Sequence, residues 1–152
     1  MENTMLPPEI IIRNINMEDA PELQRIYSAI TQSDSPIEFE KILSEELHDG
    51  KNRASFVAEL NGKVVGYMIS YVVYGGFGVE KSAWIATLGV DPKYMGQGIG
   101  QKLAFETFEF YKQIGIKHIF SSVIWDSVDL ISFFRSLGFE RSNFINIKKE
   151  LS

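Results

Sequence analysis

Trp84-Ile85-Ala86-Thr87-Leu88-Gly89-Val90, Asp91-Pro92, then Tyr94-Met95-Gly96-Gln97-Gly98-Ile99-Gly100 is the stretch that decides the fold. The apolar run Trp84–Val90 has the length of a buried strand. Asp91-Pro92 is a turn pair. Gln101 to Ile114, directly after the glycines, contains neither Gly nor Pro and suits a helix. The pattern predicts a strand, a tight glycine turn and a helix start. Successive backbone N–H groups at such a turn, added to the helix terminus, form a cradle for phosphate. Gly98 and Gly100 keep side chains from between backbone and ligand, and Gly96 permits a backbone angle that other residues avoid. The loop is short and has no Lys followed by Ser or Thr, so it is not a nucleotide-triphosphate loop. A dinucleotide fold would place the loop after a first parallel strand, with an acid about 20 residues on. Here the loop lies in mid-chain, and residues 118–122 offer His118 and two serines but no acid.

Outward from the loop, the periodicities alternate between strand and helix. Ile10–Ile15 reads as a first strand, and Asn16–Asp19 as a helix start with Pro21 in the first turn. Leu23, Ile26, Tyr27 and Ile30 then mark one buried helical face. A second helix carries Phe39, Ile42, Leu43 and Leu47. Ser55–Leu60 and Lys63–Tyr74 flank Asn61-Gly62, a strong hairpin signal, and Ala83–Val90 is the third member of the meander. Gly115 before Ile116 and Gly138 before Phe139 are each a glycine helix stop with an apolar residue after it. Between them Lys117–Trp125 is expected as a strand, and Leu130, Phe133, Phe134 and Leu137 as a helical face. Phe144, Ile145 and Ile147 suggest a final short strand. The order β-α-α-β-β-β-α-β-α-β makes an α+β, mixed α/β fold: a mixed, mostly antiparallel sheet with helices on both faces. Residues 1–9 are expected as a tail and 10–152 as one domain.

Composition narrows the function. The 152 residues are 45% apolar, with 11 Phe and 6 Tyr, enough for a sizeable core. The net charge of −5 argues against nonspecific nucleic-acid binding, which wants clustered positive charge. There is no Cys, so neither a disulfide framework nor a thiol nucleophile, and His48 and His118 stand alone, so no metal site is expected. Apolar runs are too short to span a membrane, and a cytoplasmic location is expected.

These pieces, in this order, resemble the GNAT superfamily of acetyl-CoA-dependent N-acetyltransferases. The resemblance runs from Ile12 to about Lys149. It rests on the hairpin Val57–Gly66, on Leu88-Gly89-Val90-Asp91-Pro92 with Tyr94–Gly100, and on Phe134-Arg135-Ser136-Leu137-Gly138-Phe139. It implies a GNAT-like acyl-CoA N-acyltransferase fold and direct attack of a neutral primary amine on the acetyl thioester within a ternary complex. It also implies acetyl-CoA bound by Leu88, Gly89, Val90, Met95, Gly96, Gln97, Gly98, Ile99, Gly100 and Gln101, with Ser127 and Phe134 beside them. The backbones of Leu88 and Val90 would hold the pantetheine arm and the acetyl group.

Three departures from the family pattern stand out. Met95 occupies a usual Arg or Gln position and offers no polar fastening. Ser127 stands where Asn is frequent. Phe134 replaces a tyrosine whose hydroxyl is proposed to protonate the departing thiolate, leaving Ser127 or water for that task. Only 13 residues follow Phe139, so the closing strands are short, and an open edge could take a second subunit in a homodimer.

The base is open among Glu80, Asp126 and water, with Glu59 read as structural; Asp126 and Ser127 also suit a helix cap. The acceptor groove implied by the resemblance lies between residues 31–36 and 74–81, with Asp34, Tyr74 and Phe77 as its substrate-binding side chains. A peptide N-terminus or lysine is slightly favoured as acceptor, with a small-molecule amine as the alternative. A further alternative is a catalytically weak acyl-CoA-binding module.

Overall fold

Asn61 and Gly62 set the register of the sheet. Both take left-handed backbone angles, φ 53° and 78°, as a two-residue hairpin turn requires. They join β2 (Ser55–Leu60) to β3 (Lys63–Val73). β1 (Ile10–Asn14) pairs antiparallel with β2, and β4 (Ser82–Val90) antiparallel with β3. β5 (Ile119–Ser121) follows β4 in the order β1-β2-β3-β4-β5. It is reached through a helix, as a strand that does not return by a hairpin must be. The computed structural model describes residues 9–31, 38–48, 53–75 and 80–152. The chain divides into two compact units, Met1–Phe120 and Ser121–Ser152.

In the first unit, α1 (Ala20–Thr31) begins where the sequence pattern puts it. The Asn16 side chain accepts from the Glu18 N–H, and Asp19 reaches back to the Asn16 N–H at 2.8 Å, so the preceding 3₁₀ turn opens on a reciprocal capping box. Arg13 grips the Asp19 carboxylate with both terminal nitrogens, at 2.9 and 2.7 Å, and Glu59 with its Nε at 2.9 Å. This ties β1, the 3₁₀ turn and β2 together. α1 and α2 (Phe39–His48) cover one face of the sheet, packing Leu23, Ile26, Phe39 and Leu43 against Val57, Val64, Tyr67 and Ile69. Each such buried side chain contributes about 1.5–3 kcal/mol.

α3 (Ile99–Gln113) covers the opposite face. There Tyr111 packs with Ala54 and Ala83, and its hydroxyl joins Ser70 at 2.6 Å and the Ala54 N–H at 3.1 Å. Gly66 lets the start of α3 sit down on the sheet: a Cβ there would stand 2.9 Å from Ile99 and 3.2 Å from Leu103. Helices thus lie on both faces, as the sequence predicts.

Two β-bulges break the ladders. Ala58 pairs with Gly66 but Glu59 pairs with Val64, so Val65 is the extra residue on β3. Ile69 pairs with Thr87 but Ser70 pairs with Ile85, so Ala86 is the extra residue on β4. A bulge leaves its extra residue out of the ladder and flips the face that following side chains take.

The second unit contains α4 (Val128–Ser136), whose Phe134 meets Phe133 and Phe139 edge to face at 5.6 and 4.9 Å. Gly138 closes the helix at φ 91°, with the Phe139 N–H returning to the Phe134 carbonyl at 3.0 Å; Gly115 closes α3 the same way at φ 85°. Two expectations are corrected here. The strand expected over Lys117–Trp125 is limited to Ile119–Ser121, and the final strand expected at Phe144, Ile145 and Ile147 is not formed. Ile145 and Ile147 are 81% and 89% exposed. Without a partner strand, β-favouring side chains do not hold a strand by themselves.

Candidate active site

The main chain at the end of β4 builds the site's best-defined part. Asp91 leaves the strand with its N–H on the Val65 carbonyl at 2.8 Å, so the β3 bulge anchors the loop. Its carboxylate accepts from the Lys93 N–H at 3.0 Å and caps the 3₁₀ turn Pro92–Tyr94. Gly96 and Gly98 then take φ 82° and 77°, in the left-handed region that favours glycine, and a Cβ at either would meet nothing within 4 Å. Open space lies where side chains would otherwise stand. α3 starts at Ile99 with no side-chain cap and no acidic residue in its first turn. Its leading N–H groups are therefore available to an anion.

An ion pair fixes this loop to α1. Arg25 Nη1 lies 2.8 Å from the Asp91 carboxylate, and Nη2 donates to the Val64 carbonyl at 3.2 Å. The Asp91 side chain is only 3% exposed. Burial pushes its carboxyl up, but the Arg25 and Lys93 hydrogen bonds and the Arg25 charge outweigh that and hold it below the usual carboxylate range. Lys63 stands 5.9 Å from the Tyr94 ring centroid on the same loop.

The outer edge of β4 is short of a neighbour. β5 has three residues to the nine of β4, and the Ala83 N–H donates to the His118 carbonyl at 3.1 Å, which places β5 beside the start of β4. Among the described residues no strand lies beside Thr87–Val90. That edge runs directly into the glycine loop, so Leu88 and Val90 have main-chain groups turned to where an extended ligand arm could pair with them. Gly89 is glycine for a local reason: the Tyr67 ring and Ile30 would stand 2.8–2.9 Å from a Cβ there. The Tyr67 hydroxyl, fully buried, faces the Thr87 side chain and makes no well-formed hydrogen bond among the described residues.

The other expected site residues fare unevenly. Gly96, Gln97, Gly98, Ile99, Gly100 and Gln101 come together at the α3 start, whereas Met95 is 58% exposed and packs little beside the turn. Glu59 is taken up by Arg13, in the structural role expected of it. Glu80 is exposed just before β4. Tyr74 is 67% exposed beyond β3, with Lys81 Nζ 4.8 Å from its ring centroid. Asp34 and Phe77 lie outside the described residues. In the second unit Asp126 is in the turn before α4, exposed, and does not cap the helix. Ser127 holds the N-cap position, but its side chain makes no capping hydrogen bond, a correction to the expected cap; its carbonyl accepts from Ile131 instead.

The Acetyltransferase (GNAT) family model matches residues 20–139, which takes in β2 to β5, the glycine loop and α4. The chain belongs to that family. A mycothiol acetyltransferase of Amycolatopsis mediterranei is 30% identical over 89 residues, 57% of this chain and 30% of that protein. An uncharacterized N-acetyltransferase of Methanocaldococcus jannaschii is 33% identical over 92 residues, 59% of this chain and 40% of that protein. The chain thus spans well under half the length of these curated relatives. Among solved structures, an aminoglycoside acetyltransferase from an uncultured soil metagenomic sample, in complex with sisomicin, is 27% identical with a TM-score of 0.76, covering 94% of this chain and 97% of that one. Another aminoglycoside N-acetyltransferase, in complex with CoA, shares the fold at a TM-score of 0.81 and 14% identity, over 95% of this chain and 97% of that one.

Two features of this GNAT-family chain escape sequence reasoning. The Arg25–Asp91 pair joins residues 66 apart, and Asp91 carries the same sequence signal whether it only opens a turn or also locks a helix. The Ala86 bulge leaves no mark at all in the apolar run Trp84–Val90, because every residue around it suits a strand.

Proposed function

We propose that the protein is an acetyl-CoA-dependent N-acetyltransferase acting on a primary amine. The observation that carries this reading is the glycine-built, uncapped start of α3 at the end of a strand whose outer edge at Thr87–Val90 has, among the described residues, no neighbouring strand. When bound, acetyl-CoA supplies a thioester open to direct attack by a neutral amine. The residues present fit it: the N–H groups of Gly96–Gln101 suit the diphosphate, and the free edge at Leu88–Val90 suits the amides of the arm. The chain's own tasks are to hold the donor in line, to take a proton from the amine, and to return one to sulfur. Glu80, directly or through water, is the candidate acceptor of the first proton in the first unit. Asp126 is the other carboxylate candidate, and Ser127 or water the donor of the second, since Phe134 has no hydroxyl.

The acceptor class belongs to the same proposal. A peptide N-terminus or lysine rests on Tyr74 and Phe77 as flanking rings, and the Tyr74 ring is engaged by Lys81. A small-molecule amine is supported by likeness to an aminoglycoside acetyltransferase solved with sisomicin. One domain over residues 10–152, a cytoplasmic location and a homodimer are part of the reading. The exposed Ile145, Ile147 and Leu151 support the dimer.

The test is a thiol-release assay with acetyl-CoA and a panel of peptides, polyamines and amino sugars, run beside calorimetry of donor binding. CoA release with at least one amine is expected. Micromolar donor binding without release from any acceptor would replace the enzyme by the weak acyl-CoA-binding module.

A further inference from the structure

The face of the sheet that carries α1 continues past the end of that helix. Ile30, near the end of α1, lies against Gly89. Farther toward the β3–β4 turn, the same face carries Thr87 opposite Ile69 and then Trp84 opposite Tyr71. The Ala86 bulge is what puts Trp84 there. In an unbroken ladder Ile85 would oppose Tyr71, and Trp84 would turn to the α3 side. With one extra residue, Ile85 is buried opposite Ser70, and Trp84 shares the face of Tyr71. Across the next gap, Phe120 of β5 stacks on Trp84, with ring centroids 5.1 Å apart and planes at 25°. His118 tilts toward Phe120 at 6.4 Å.

Tyr71, Trp84 and Phe120 are each partly exposed and stand side by side on three neighbouring strands. At about 4.8 Å per strand the row is roughly 10 Å wide. It lies between the unpaired edge at Thr87–Val90 and the exposed Tyr74 and Glu80. A binding site for an amine must expose apolar area beside the reacting end and give up little on ordering the ligand. A rigid ring covers two neighbouring aromatic side chains at once and has few rotors to freeze. A linear chain covers a narrow strip and loses its torsional freedom.

We propose that the row Tyr71–Trp84–Phe120 seats the acceptor and selects primary amines carried on a ring over amines on a flexible chain. This rests on the acetyl-transfer reading, and it names the residues and the substrate class that reading leaves open. Trp84 is the specificity-determining residue and touches the acceptor's ring. No proton passes through it.

The matched probes are cyclohexylmethylamine and n-heptylamine, equal in carbon count and charge. In the thiol-release assay, kcat/KM is expected to be about tenfold higher for the cyclic amine, about 1.4 kcal/mol. Trp84→Leu is expected to erase that gap by raising KM for the cyclic amine, with KM for acetyl-CoA unchanged, and Trp84→Phe to keep most of it. Tyr71→Leu gives the same reading should Trp84→Leu fail to fold. Equal rates for the two amines, or a Trp84→Leu loss shared equally by both, would overturn the seat while leaving the transferase intact. If acetyl-CoA binds but no amine releases CoA, the transferase reading fails separately. The seat is then read by titrating cyclohexylmethylamine into the Trp125→Phe protein, where Trp84 is the sole tryptophan and is excited selectively at the red edge of its absorption: a saturable change in its emission supports the seat, and a flat titration overturns it.

Discussion

The two ends of β4 build their sites from different material. At its C-terminal end the working groups are main-chain amides, released by Gly96 and Gly98 at positive φ and by an α3 start without a side-chain cap. At its N-terminal end the proposed seat is made of side chains, Tyr71, Trp84 and Phe120, brought together from three strands by a one-residue bulge. The first kind of site depends on which residues are absent. The second depends on register, so a single inserted residue remakes it. A family can therefore keep its donor site through wide sequence change while the acceptor face varies.

The sharpest way to break this contrast is at Gly98. Gly98→Glu forces a side chain onto φ 77° and sets a carboxylate where phosphate oxygens are expected. Acetyl-CoA affinity should fall by roughly a hundredfold or more, read by calorimetry, with the circular dichroism spectrum kept. Undiminished binding would mean that the glycine loop is not the donor site.

The next effect is at Arg25, a side chain serving the main-chain site. Arg25→Met should raise KM for acetyl-CoA by about tenfold with kcat within about threefold, and Arg25→Lys should recover part of it, since the change leaves the buried Asp91 carboxylate without its partly exposed guanidinium partner. The pH dependence sharpens this. The Asp91 carboxyl is held below its ordinary value, so the clamp is complete above the ordinary carboxylate range and is lost as pH falls through the lowered, folded value. Without Arg25, burial is opposed only by the Lys93 N–H hydrogen bond and the Lys63 charge, and the acid limb of donor affinity should move to higher pH. An unmoved limb would assign it to other groups.

The smallest effect is at Tyr67. Its buried hydroxyl faces the Thr87 side chain but makes no well-formed hydrogen bond among the described residues, so Tyr67→Phe removes a poorly compensated group. Melting should show stability unchanged or raised by up to about 1 kcal/mol, with acetyl transfer unaffected. A clear loss of rate at full stability would instead give that hydroxyl a part in the chemistry.

Much of the fold was legible because local chemistry and tertiary demand agree. Asn61-Gly62 carries its turn type in its own backbone preferences, and Gly115 and Gly138 stop their helices with the expected φ. The glycine loop was legible for the same reason. The tail was misread because Ile145 and Ile147 have strand propensity, but a strand also needs a partner that propensity cannot supply. Ser127 was read as a cap from its residue type, yet the hydroxyl must also reach an amide, and it does not. The side-chain half of the site stayed hidden because Trp84 reads as one more core residue until the bulge at Ala86 is known.

That bulge has a consequence on another timescale. A residue excluded from a ladder has an amide that water can reach, even with protected neighbours on both sides. Ala86 should therefore be a fast-exchanging proton inside a slow-exchanging strand, placed between the donor edge and the aromatic row. Deuterium uptake at that one position would report from within β4 whenever either neighbour is filled, without an attached probe and without turnover.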